Sequence, residues 1–101
     1  MTFKQHNPPH PGELIARTYI EPFPEVSAAN VARKLGVAKS TFSRLLTGKS
    51  DITPEMAVRL SAVLGRSAES WLLLQDNYDL WRARQTIDTS KLQRMNYEDV
   101  A

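Results

Sequence analysis

Apolar residues return with a helical period in five successive stretches, each closed by a recognisable start or stop signal. His10-Pro11-Gly12-Glu13 leads into Leu14, Ile15, Thr18 and Tyr19, with Pro11 suited to a first turn, and Pro22 and Pro24 force the chain out of that helix. Ser27 has the character of an N-cap for a second helix that carries Val31, Ala32 and Leu35 on one face and stops at Gly36. A third, over about Lys39 to Leu46, turns Phe42, Leu45 and Leu46 inward and ends before Gly48. Thr53-Pro54 supplies a cap and an N1 proline for a fourth helix running through Met56, Ala57, Leu60 and Leu64 to Gly65. Ser67 caps a fifth, from Ala68 to about Gln85. No stretch alternates with the period of two that a strand requires, so the expected fold is all-α, with connections of two to seven residues. Three regions are expected: an N-terminal arm over 1–9, a helical domain over 10–86 and a tail over 87–101 with at most one marginal helical turn.

A length of 101 residues with 42% hydrophobic and 24% charged residues fits a single folded domain and argues against a disordered or fibrous chain. The absence of cysteine removes disulfides, thiolate metal sites and a cysteine nucleophile, and fits a reducing cytoplasm. The longest fully apolar run is Trp71 to Leu74, far below the roughly 20 residues of a bilayer span, and the proline-rich start lacks the apolar region of a secretory signal. No membrane association is expected.

Charge placement says more than the net +2. Of 13 basic and 11 acidic residues, five basic and no acidic ones fall between Ser27 and Lys49, leaving eight and eleven elsewhere, a net of −3. Such segregation is the footprint of a nucleic-acid face on a near-neutral body. The same segment reads as two short helices joined by a tight turn at Gly36-Val37, with a small crossing residue, Ala32, and apolar locking positions at Val31, Leu35, Val37, Phe42 and Leu45. These are the requirements of a helix-turn-helix.

In that motif the second helix reads the major groove, and its exposed face holds Lys39, Ser40, Thr41, Ser43 and Arg44, all hydrogen-bond donors. Arg44 is the leading candidate for a base contact, since its guanidinium matches guanine O6 and N7. Ser27 and the amide region of Ala28 head the helix that crosses the phosphate backbone, Ala38 heads the reading helix, and Lys49 lies within reach of a phosphate. Arg33 and Lys34 strengthen the field without specific contacts. The expected DNA-facing set is therefore Ser27, Ala28, Ala38, Lys39, Ser40, Thr41, Ser43, Arg44 and Lys49.

The segment resembles the Cro and phage-repressor type of helix-turn-helix, the XRE family, whose domain is a lambda-repressor-like bundle of five helices. The flanks narrow the resemblance: His10-Pro11-Gly12-Glu13-Leu14-Ile15, Ile52-Thr53-Pro54-Glu55-Met56-Ala57, Trp71-Leu72-Leu73-Leu74-Gln75 and Tyr78-Asp79-Leu80-Trp81 are similar to the HigA or VapI antitoxin subfamily. The match runs from about Pro9 to Gln85 and departs at Ala38, where a capping Ser or Thr is usual, and at Phe42, where a β-branched aliphatic is usual. It implies a homodimer on a palindromic operator in its own promoter, repression of that operon, and neutralisation of a HigB-type toxin, a ribosome-dependent ribonuclease. The N-terminal arm with the first helix, and the tail beyond Thr86, are the candidate toxin-binding surfaces.

The fifth helix supports dimerisation independently. Trp71, Leu74, Tyr78 and Trp81 share one face, and Leu73, Asn77, Leu80 and Arg84 share a second, so one face can cover the core and the other a second subunit. We expect the first set at the dimer interface, which places two reading helices about one DNA turn, roughly 34 Å, apart. An enzyme is not expected: there is no paired acid and base with supporting spacing and no phosphate loop, and Pro8, Pro9 and Pro11 forbid the helix that would align His6 with His10 on a metal. No cofactor is expected either. An XRE repressor without a toxin, and an interaction module that no longer binds DNA, remain alternatives.

Overall fold

A computed structural model describes residues 7–100, so His6 and most of the arm lie outside the described residues. Five α-helices follow in order, α1 (Pro11–Ile15), α2 (Ala28–Leu35), α3 (Lys39–Leu46), α4 (Pro54–Leu64) and α5 (Ala68–Thr86), and no strand occurs among the described residues. Beyond α1 the chain continues over Ala16–Ile20 in wider π-helical turns, with the Glu21 amide donating to the Ala16 carbonyl at 2.8 Å. The tail forms two short 3-10 turns, Thr89–Lys91 and Tyr97–Val100, where one marginal turn was expected.

The caps follow local chemistry. The hydroxyls of Ser27, Thr53 and Ser67 each accept from the amide three residues on, and Pro11 and Pro54 begin their helices where a missing N–H costs nothing. α2 closes in a Schellman arrangement, with Gly36 N–H on Arg33 O and Val37 N–H on Ala32 O, both at 3.1 Å. Gly36 has φ +74°, the left-handed conformation that this stop requires.

Ile15, Val31, Leu35, Phe42, Leu45, Ile52, Leu60 and Trp71 meet in one core, with Ala32 and Ala57 where helices approach closely. Phe42, where a β-branched residue is usual, has no exposed surface and packs within this core. Two polar side chains are buried among these groups. Gln75 accepts the Ile52 N–H at 2.8 Å through Oε1 and donates to Asp79 Oδ1 at 3.0 Å, tying α5 to the segment before α4. His10 caps α1, its Nδ1 accepting the Gly12 N–H at 2.9 Å while Nε2 faces Asp51 Oδ1 at 3.3 Å. The ring also meets Tyr78 edge-on at 5.0 Å.

Gly12 sets the approach of α1 to α3. A Cβ there would overlap the Leu45 carbonyl oxygen, so only glycine lets α1 press on the end of α3.

Candidate nucleic-acid interface

α2 and α3 form the expected pair. Val31, Ala32, Leu35, Phe42 and Leu45 are buried and Val37 is half-buried, so the locking positions hold the two helices against α1 and α4 and leave the opposite face of α3 open. On that face Lys39, Ser40, Thr41 and Arg44 are exposed, and Ser43 is half-buried beside them. Lys49 is exposed in the turn after α3, and its backbone N–H returns to Arg44 O at 2.8 Å, which fixes where the lysine departs from the helix.

At the head of α2, Ser27 is exposed and Ala28 half-buried, and the Ser27 hydroxyl accepts the Asn30 N–H at 3.1 Å. The cap leaves the hydroxyl hydrogen free to donate outward. Asn30 in turn accepts from Arg33 Nη2 at 2.6 Å, which directs that cation along α2 and not toward α3. Ala38 occupies the N-cap of α3 with extended backbone and offers no side-chain acceptor. The first-turn N–H groups of α3 therefore point outward without a cap, the arrangement that favours an anion at a helix N-terminus.

Electrostatically the face is one-signed. Among the described residues Glu55 pairs with Arg59 and Asp51 Oδ1 lies 3.3 Å from His10 Nε2, and neither contact involves Arg33, Lys34, Lys39, Arg44 or Lys49. No carboxylate lies within the segment to neutralise them.

The four residues of the expected dimer set differ in burial along the fifth helix. Trp71 has no exposed surface and donates Nε1–H to Gly65 O at 2.8 Å, so it belongs to the chain's own core and presents nothing to a second subunit. Leu74 packs against the same core. Tyr78 and Trp81 are half-buried and wall a cleft of about 410 Å³ whose other side is Asn7, Pro8 and Pro9. The cause is the helical period: the inward line passes through Trp71 and Gln75, and a glutamine on the core face is not visible to a pattern of apolar residues. The outward face is the one with Leu73 and Leu80, 58% and 49% exposed.

Gly12, Gln75 and His10 were missed as determinants of the site's geometry. Gly12 stands out only as a glycine inside a helical start, and His10 as a polar residue directly before Pro11; neither signal specifies its partner.

These features define a helix-turn-helix protein with an exposed cationic face on α3. The helix-turn-helix family model matches residues 26–71. The chain is 46% identical over 92 residues to the uncharacterized HTH-type transcriptional regulator YddM of Escherichia coli K12, covering 91% of this chain and 96% of that protein. It is 37% identical over 73 residues to antitoxin HigA-1 of Vibrio cholerae, covering 72% and 68% of the two chains. The solved structure of antitoxin GraA in complex with its operator superposes with a TM-score of 0.76 at 35% identity, covering 94% of this chain and 99% of that one. The chain belongs to the XRE-type helix-turn-helix family, in the group that includes the HigA antitoxins.

Proposed function

We propose that this chain is the antitoxin of a type II toxin–antitoxin pair, a homodimer that binds a palindromic operator, represses its own operon and neutralises a HigB-type mRNA-cleaving toxin. The observation that carries the reading is the row of exposed donors on α3, in a segment free of carboxylates, on a fold shared with an antitoxin solved on its operator. Arg44 and Lys39 read base edges, with Ser40, Thr41 and Ser43 on bases or phosphates; the amides at Ala38 and Ala28, Ser27 and Lys49 hold the phosphate backbone. The domain doing this is residues 10–86. The protein acts in the cytoplasm on nucleoid DNA; among its described residues no helix is long and apolar enough to cross a membrane. Its family consists of DNA-binding regulators and antitoxins, and we assign this chain no catalytic role.

Dimerisation is assigned to α5 through Leu73, Asn77, Leu80 and Arg84, the face that lies outward while Trp71 fills the core and Leu74 packs against it.

A survival count tests the antitoxin reading: the small open reading frame adjacent to this gene is expressed in a host with and without this chain. Killing that the chain reverses is the expected result, and a neighbour that is harmless, or that still kills, overturns it for that pair. The second reading, an XRE repressor without a toxin, draws on the higher identity to a relative described only as a transcriptional regulator, and it takes first place on that outcome.

A further inference from the structure

We infer that Arg59, on α4 and outside the DNA-facing set, is a positioning residue for the reading helix. The inference rests on the DNA-binding reading above.

The need for such a residue follows from how the two helices of the motif are capped. The Schellman turn satisfies the carbonyls of Ala32 and Arg33, but those of Leu35 and Gly36, at the end of α2 and in the turn toward α3, receive nothing from it. α3 then begins at Lys39 with Ala38 as an N-cap that offers no side-chain acceptor, so the head of the reading helix has no side-chain tie of its own. Arg59 supplies one from a third helix. Its Nη1 donates to Leu35 O at 2.7 Å and lies 3.5 Å from Gly36 O, while Nε and Nη2 donate to Glu55 Oε1 at 3.3 and 3.1 Å.

The guanidinium suits this task because its donors lie in one plane on two edges. One edge is held by a carboxylate one turn earlier on α4 and the other is aimed at the end of α2. A cation at a helix C-terminus is also favoured by the helix dipole. Glu55 is 78% exposed, so its ion pair contributes little to stability by itself; its effect is to orient the guanidinium. Gly36 completes the fit, since a Cβ there would stand 3.0 Å from Arg59 Nη1. α4 thereby clamps the turn between the two helices of the motif and fixes the angle at which α3 leaves it.

The test compares the full-length chain with Arg59→Gln and Arg59→Lys, titrated onto a duplex spanning the region upstream of its own coding sequence at several salt concentrations. Amide exchange is followed at Val37 and at Gln75. Arg59→Gln is expected to weaken binding by about tenfold, to leave the slope of log affinity against log salt unchanged, and to speed exchange at Val37 but not at Gln75. Arg59→Lys, which keeps charge and stem without the two-edged fork, is expected to fall between. Wild-type affinity in either variant overturns the inference. So does a slope shallower by about 0.9, which would make Arg59 a phosphate contact. A wild-type chain that binds no DNA overturns the reading underneath instead, and exchange at Val37 then decides alone whether Arg59 holds the turn.

Discussion

Gln75 Oε1 accepts the backbone N–H of Ile52 at 2.8 Å inside the core, across 23 residues of sequence. Both groups are buried, so Gln75→Leu leaves the amide without a partner at a site closed to water. We expect a loss of about 1–3 kcal/mol, read in urea as a lower midpoint at an unchanged slope. An unchanged midpoint would mean that the Ile52 amide finds another acceptor.

Gly12→Ala probes the crossing of α1 with α3. The added Cβ overlaps the Leu45 carbonyl oxygen, which is backbone and has little freedom to move. Destabilisation of about 1–3 kcal/mol is expected, together with weaker DNA binding, because the displaced carbonyl belongs to the reading helix. Thermal unfolding and a DNA titration on the same preparation check both halves.

Self-association tests the face assigned to α5. Leu80→Glu places a carboxylate on the outward stripe, at a residue 49% exposed in the single chain, so the fold of one protomer has no reason to suffer. At least tenfold weaker dimerisation, or about 1.4 kcal/mol, is expected by sedimentation. An unaffected dimer would return Tyr78 and Trp81 as the candidate contact.

Asp88 carries a pH prediction. Its carboxylate accepts from the Ser90 hydroxyl at 2.6 Å and the Ser90 N–H at 3.0 Å, and these bonds, the hydroxyl's first, hold its pKa below the ordinary aspartate value. With a lowered pKa in the folded chain, the stabilisation of the Thr89–Lys91 turn is complete above the unfolded value and disappears as pH falls through the folded one. Ser90→Ala removes the larger cause, and the Asp88 carboxyl titration followed by NMR is expected to move upward.

Much of this architecture is written locally. The caps at Ser27, Thr53 and Ser67, the prolines at 11 and 54 and the stop at Gly36 act within one helical turn, and a pattern of neighbours exposes them. The missing cap at Ala38 was legible for the same reason. Partnerships across the chain were not. Nothing near Gly12 announces Leu45, and Gln75 looks like a solvated residue until Ile52 is beside it. The inward face of α5 is only half legible in a heptad of apolar residues, because Trp71 fills the core and a buried glutamine, Gln75, continues its line. Arg59 was equally silent, an arginine on a surface helix whose partner carbonyls lie 24 and 23 residues away.

The most direct test of the central claim is nuclease protection of the chain's own upstream region by the wild type and by Lys39→Ala/Arg44→Ala. We predict one protected site with two-fold related halves centred about 34 Å apart, and loss of protection by the double variant with its helical content and unfolding midpoint intact. Equal protection by the two proteins, or none by the wild type, would contradict the assignment of α3 as the reading helix.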